Sequence, residues 1–127
     1  MDYKEIVNID LSGLEIECIN QARNYYIVSE KLANANKEFD TMCLQLKSKR
    51  AEVAITYRDS QVKKPTANDI ENYVNNHQDV IYLESQKIGA EYAKNMLFGL
   101  LRSLDNKRDM LKILSWSNRG NNNDFNS

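Results

Sequence analysis

The feature that most constrains this chain is an apolar stripe whose members recur alternately three and four positions apart. The stripe begins at Tyr25 and ends at Val53, and Lys49 is its only member that is not apolar. An average spacing of 3.5 residues predicts a long helix whose seam packs lengthwise against another helix. The stripe consists of Tyr25, Val28, Leu32, Ala35, Phe39, Met42, Leu46, Lys49 and Val53.

A second stripe with similar spacing occupies the other half of the chain and predicts the partner helix. The single proline, Pro65, falls between the two stripes, where it separates two helices instead of interrupting one. We therefore predict an all-α fold: a long antiparallel helical hairpin with a short connecting helix. The second stripe consists of Leu83, Gln86, Ala90, Ala93, Leu97, Leu100, Leu104, Lys107, Leu111 and Leu114.

Composition divides the chain into three predicted parts. Residues 1–12 form an acidic, loose N-terminal arm, and residues 13–117 form the hairpin domain. Residues 118–127 are polar, rich in asparagine and poor in apolar residues, which predicts a disordered tail.

Capping residues predict where the helices begin. Ser12 with Glu15 suggests a capping box for a first helix over about 13–57, and Thr66 with Asp69 suggests another for the short helix. Asp79 is the predicted N-cap of the last helix, which we expect to end near residue 117. Trp116 is interpreted as a packing anchor at that end, with a stacking platform as the alternative.

The second helix carries more apolar residues than one seam requires, which predicts self-association with other copies of the chain. The alternative is that the short middle helix covers this surface. The residues predicted for oligomerisation are Ile88, Tyr92, Met96, Leu97, Leu101, Leu104 and Leu111.

The net charge of −1 conceals a segregated pattern. Residues 45–64 carry six basic side chains against two acidic ones, whereas residues 66–84 carry four acidic side chains and no basic one. A segregated positive surface can follow a phosphate backbone, although exposed helix faces with ordinary ion pairs give the same pattern. Aromatic residues near the cations, Tyr26 and Tyr57, favour single-stranded nucleic acid, whose bases stack on such rings. The predicted DNA-binding residues are Lys47, Lys49, Arg50, Tyr57, Arg58, Lys63 and Lys64.

Other functional classes find little support in the sequence. Cys18 and Cys43 fall on one predicted helix about 37 Å apart, too far for a disulfide, and are interpreted as reduced. With His77 as the only histidine, we expect no metal site and no cofactor, and we expect the protein not to be an enzyme. His77 is interpreted as a polar turn residue. No apolar run is long enough for a membrane span, and no secretory signal is present, so a cytoplasmic location is expected.

The stretch over residues 79–116 resembles the C-terminal part of the UvsY-type phage recombination mediators. The shared elements are Asp79, the Leu83-Glu84 pair, the amphipathic helix through Leu104, the Asn106-Lys107-Arg108 step and the segment from Met110 to Trp116. The front of the chain is also similar, with an acidic start and a basic step at Lys47, Lys49 and Arg50 ahead of Tyr57. The family's paired tyrosine is a single Tyr57 here.

This resemblance implies a non-enzymatic recombination mediator. Such a protein binds single-stranded DNA and helps load a RecA-type recombinase in place of single-stranded-DNA-binding protein. It also implies a ring of about six or seven subunits and, for a phage-encoded protein, the host cytoplasm as its location. The alternative is a helical adaptor or phage assembly protein that does not touch DNA.

Overall fold

The structure is a computed structural model that describes residues 2–125, and in this range every regular element is helical. The elements are helix α1 (Tyr3–Val7), a 3₁₀ turn (Leu11–Gly13), and helices α2 (Leu14–Ser60), α3 (Ala67–Asn76) and α4 (Gln78–Phe125). The predicted all-α architecture, with two long helices and a short helix between them, is confirmed.

The capping prediction is confirmed for α3 alone. Thr66 Oγ1 accepts the backbone N–H of Asp69 at 3.1 Å, and Asp69 Oδ2 accepts the N–H of Thr66 at 3.2 Å, which completes the capping box. The prediction for Asp79 is wrong, because α4 begins one residue earlier and the N–H of Asp79 donates to His77 Nδ1 at 3.2 Å.

The N-terminal segment, for which the sequence predicts a loose arm, contains α1 and the 3₁₀ turn. Asp2 caps α1 by accepting the N–H of Lys4 at 3.0 Å. Asp10 caps the 3₁₀ turn by accepting the N–H and the hydroxyl of Ser12, so the predicted N-cap role of Ser12 is wrong. These hydrogen bonds, the one from the Ser12 side chain first, lower the pKa of the Asp10 carboxyl.

The last helix is longer than the sequence predicts. Its backbone is helical to Phe125, eight residues beyond the expected end near residue 117, and so covers most of the segment for which the sequence predicts a disordered tail. Asn126 and Ser127, the last two residues of the predicted tail, lie outside the described residues.

Contacts divide the chain into two compact units. Unit 1 comprises Met1–Ala33 and Asn95–Ser127, and unit 2 comprises Asn34–Lys94. In each unit a segment of α2 packs beside a segment of α4, and unit 2 also contains α3.

The core of unit 1 combines apolar and polar residues of α2 and α4. Val28, Leu104 and Leu111 are buried. Gln21 is also buried, and its Nε2 donates to the carbonyl oxygen of Leu104 at 2.8 Å. Lys107 is buried as well, so the predicted seam position of this lysine is confirmed.

The core of unit 2 draws on three helices. Leu46 and Val53 of α2, Val74 of α3 and Val80 of α4 form its buried cluster. All nine members of the first stripe, across both units, are buried or half-buried, which confirms that prediction.

Eight of the ten members of the second stripe are buried or half-buried, which confirms this stripe except at two positions. In unit 2 the predicted members Gln86 and Ala93 are exposed, and Lys87 and Lys94 are half-buried in their place. Lys94 Nζ lies 4.1 Å from the centre of the Phe39 ring, so a cation–π contact allows this lysine to occupy a packing position.

Candidate nucleic-acid interface

The predicted basic residues of α2 do not share one face of the helix. At 3.6 residues per turn, Lys47 and Arg58 are separated by about 20° around the axis and by three turns along it. Lys49 lies about 160° from Lys47 on the same scale. Both Lys47 and Arg58 are exposed. The helix therefore presents these two cations together and directs Lys49 elsewhere.

Lys49 and Arg50 are half-buried and already have partners within unit 2. Lys49 Nζ lies 3.3 Å from the carboxylate of Glu52. Arg50 donates to Asn75 Oδ1 at 2.8 Å and lies 3.9 Å from Glu84. Both side chains are half-buried, which limits the access of a phosphate to them, so the two residues are weaker candidates than their charge alone suggests.

Lys63 and Lys64 lie in the linker between α2 and α3, and both are exposed. They extend the run of cations beyond Arg58, close to the C-terminal end of α2 at Ser60. The predicted basic site thus retains four exposed cations: Lys47, Arg58, Lys63 and Lys64.

Tyr57 does not stand alone, because α3 supplies a second ring. Tyr57 and Tyr73 stack with centroids 4.2 Å apart and ring planes 12° from parallel. The His77 ring lies 6.0 Å from that of Tyr73. One face of Tyr57 is therefore covered, and Tyr73 is the more exposed member of the stack. Tyr73 is absent from the predicted site residues, because its placement on one face with Ile70 and Val74 indicates core packing.

His77 lies at the junction between α3 and α4, as the sequence predicts. It is the C-cap of α3, and its carbonyl accepts the N–H of Ile81 to begin α4. Its Nδ1 accepts from Asp79, which assigns the proton of the neutral ring to Nε2. The ring therefore has a structural role that explains its position between two helices.

The residues predicted for oligomerisation fall into two groups. Ile88, Tyr92 and Met96 are exposed, and Leu97 and Leu101 are half-buried. By contrast, Leu104 and Leu111 are buried inside unit 1. The prediction for these last two residues is wrong, because their side chains belong to the intramolecular core and have no surface to offer another copy.

The exposed aromatic side chains of unit 1 include Tyr26 and Trp116. Tyr26, a stacking candidate in the sequence, is exposed on α2. Trp116 on α4 is 69% exposed, so its interpretation as a packing anchor is wrong. An apolar residue in the last turns of a leucine-rich helix is expected from sequence alone to be buried, whereas the position of Trp116 around α4 places it outside the core.

Cys18 and Cys43 are both free thiols. Among the described residues, no cluster of three histidine, cysteine, aspartate or glutamate side chains is arranged to hold a metal ion, and no helix has the length and apolar character to cross a membrane. Comparison of the chain with protein-family models, curated proteins and solved structures gives no match.

Proposed function

We propose that this protein is a recombination mediator of the UvsY type, which binds single-stranded DNA and helps a RecA-type recombinase replace single-stranded-DNA-binding protein. The observation that carries the proposal is the run of exposed cations at Lys47, Arg58, Lys63 and Lys64 in unit 2, the unit that also holds the stacked tyrosine rings. Exposed cations neutralise phosphates, and aromatic faces stack on bases without selecting a sequence.

Self-association is part of the proposal, because it repeats a weak site along one DNA strand. Ile81, Ile88 and Tyr92 of α4 are exposed in unit 2 and lie within an arc of about 40° around the helix. An apolar face of this kind is suited to contact with another copy of the chain. Several weak sites on one assembly then bind one strand with a combined affinity far above that of each.

The first test is fluorescence anisotropy of a labelled single-stranded oligonucleotide over a range of salt concentrations. We expect binding that weakens steeply as salt rises and that depends little on base sequence. Absence of binding at low salt would refute the proposal and favour a helical adaptor.

Alanine variants test whether the cations on one side of α2 contribute more to DNA affinity than a cation on the opposite side. Replacing Lys47 and Arg58 together with alanine should reduce the salt slope by about 0.7 for each phosphate that is no longer neutralised. Lys49→Ala is the matched control, because it removes a cation from the same helix on the opposite side. Equal reductions in affinity for Lys47→Ala and Lys49→Ala would contradict the assignment of the site to one side.

The second test is functional. A RecA-type recombinase and single-stranded-DNA-binding protein compete for one strand, and recombinase assembly is followed by its DNA-dependent ATPase activity. We expect the wild-type protein to shorten the lag before assembly and the Lys47/Arg58 variant to do so less. DNA binding without any effect on the lag would restrict the function to DNA binding.

A further inference from the structure

A second surface with the properties of a nucleic-acid site lies in unit 1 and is formed by residues other than the predicted DNA-binding residues. An open groove with a volume of about 240 Å³ runs between the beginning of α2 and the later part of α4. Its lining residues are Cys18, Gln21, Arg108, Leu111, Lys112, Ser115 and Trp116.

The chemistry of the groove comes from three residues placed at intervals of four along α4. Arg108, Lys112 and Trp116 follow one another at about 6 Å of helix rise per step and so form a single ridge. All three are exposed. Proteins bind single-stranded nucleic acid with this combination of groups, because cations contact phosphates and an aromatic ring stacks on a base.

Two acidic residues, Asp105 and Asp109, lie beside the cations of the groove. Arg108 lies 3.6 Å from Asp105 and 3.4 Å from Asp109 on its own helix. Both are exposed ion pairs between neighbouring residues, which contribute little free energy and are readily exchanged. Lys112 adds a second cation one turn further on. A phosphate therefore competes only with weak contacts.

The size and inner wall of the groove limit what can occupy it. Its volume is below the roughly 300–1,000 Å³ of sites that enclose a whole small molecule. The groove wall is mainly apolar, with Leu111 and Trp116 beside the exposed Arg108 and Lys112. A flat, apolar base can lie against such a wall while the adjoining phosphates meet the two cations. The groove suits one unit of a longer anionic chain.

We infer that the Arg108–Lys112–Trp116 groove is a second single-stranded DNA subsite, in which the indole of Trp116 stacks on a base and the two cations contact the adjoining phosphates. This inference rests on the proposed function, because it assumes that single-stranded DNA is the ligand. It adds a contact in unit 1 to the cations of unit 2, so that each subunit holds the strand at two places.

Trp116 makes the inference directly measurable, because it is the only tryptophan in the chain. Its fluorescence, excited selectively, is titrated with oligo(dT) and with an abasic oligonucleotide of equal length at low salt. We expect oligo(dT) to quench the emission and the abasic strand, which has phosphates but no bases, to leave it nearly unchanged.

Anisotropy of labelled oligo(dT) then measures total binding by the variants. Trp116→Ala should weaken affinity about fivefold or more, the low end of what one base–aromatic stack supplies, and Trp116→Phe should retain part of it. Tyr82→Ala is the control, because Tyr82 is a similarly exposed aromatic residue of α4 outside the groove. Removing either cation should reduce the salt slope by about 0.7.

The outcomes separate the inference from the proposed function. Normal anisotropy binding without quenching, and with unchanged affinity in Trp116→Ala, overturns the groove but leaves the function intact. Absence of binding by wild-type protein overturns both. A change in Trp116 emission that depends on protein concentration but not on DNA would assign this residue to a contact between copies and would also overturn the inference.

Discussion

The buried ion pair of unit 1 provides the sharpest test of how the N-terminal segment is held. The Lys107 side chain is 3% exposed, and its ammonium contacts the carboxylate of Glu17, which is 19% exposed. The same ammonium donates to the carbonyl oxygen of Ile6 at 2.7 Å, and Glu17 accepts the N–H of Asp10 at 3.4 Å. One lysine and one glutamate therefore join α2, α4 and the N-terminal segment.

The perturbation is Glu17→Gln, which keeps the shape and an acceptor oxygen but removes the negative charge. Lys107 would then be buried with neutral partners only. Removing one partner of a buried pair costs about 3–5 kcal/mol, and since Glu17 retains some contact with water, we expect about 3 kcal/mol. This destabilisation should lower Tm by about 10 °C for a chain of this size.

Urea denaturation followed by far-UV circular dichroism measures the change in the free energy of unfolding, with the slope m checked for constancy between variants. Glu52→Gln is the matched control, because it breaks the more exposed Lys49–Glu52 pair on α2 and should cost below about 1 kcal/mol. High salt should abolish the small effect of Glu52→Gln and leave that of Glu17→Gln.

A destabilisation below about 1 kcal/mol for Glu17→Gln would refute the reasoning, since the pair would then behave as a surface contact. The double variant Glu17→Leu/Lys107→Met separates charge from packing. Replacing both partners with apolar residues should recover most of the stability that Glu17→Gln removes, because no charge is left buried. Failure to recover would show that packing of the N-terminal segment requires the pair itself.

Four further predictions concern the caps, the core of unit 1 and the exposed apolar face of α4. Thr66→Ala should destabilise the protein by about 1 kcal/mol through removal of the α3 cap, measured by urea denaturation, and an unchanged midpoint would contradict the importance of this cap. Leu104→Ala should cost about 3–5 kcal/mol because the side chain is fully buried, whereas Ile88→Ala should leave the stability of the monomer nearly unchanged and instead weaken self-association in sedimentation. Hydrogen bonds from Ser12 lower the pKa of Asp10, so the contribution of this carboxylate to stability is present above the pKa of Asp10 in the unfolded chain and is lost as pH falls through its lower pKa in the folded chain. Carboxyl titration by NMR should show the low pKa of Asp10 in the wild type. The pKa should be higher in Ser12→Ala, which lacks the hydroxyl donor.

The packing stripe of α2 is the part of the fold that sequence predicts best. Burial of an apolar residue every 3.5 positions has no competing explanation over so long a segment. The second stripe is harder to predict, because Lys87 and Lys94 replace Gln86 and Ala93 at half-buried positions. A lysine is assigned to the surface by its charge, yet its long apolar stem packs well when the ammonium reaches a ring or the solvent.

Lys107 shows the opposite case. Periodicity predicts that this position is buried, but it does not predict which groups pair with the buried ammonium. The stripe places a lysine at a buried seam position, but its partners Glu17 and Ile6 lie 90 residues or more away in sequence. Local patterns contain no information about which carboxylate meets an ammonium across two helices. The same limit applies to the Tyr57–Tyr73 stack, because its two rings lie on different helices, α2 and α3, which the linker joins.

The candidate DNA site depends on rotation around the helix more than on the number of cations. The segment 45–64 is strongly basic by count, but α2 turns Lys49 away from Lys47 and engages Arg50 with Asn75. In the later part of α4, a spacing of four does the reverse and aligns Arg108, Lys112 and Trp116 beside one groove. A charge run in a long helix therefore becomes a phosphate-binding surface only where its spacing matches the helical repeat. By that criterion, Lys47 with Arg58 and the Arg108–Lys112–Trp116 ridge on α4 are better candidates for phosphate binding than Lys47, Lys49 and Arg50 taken together.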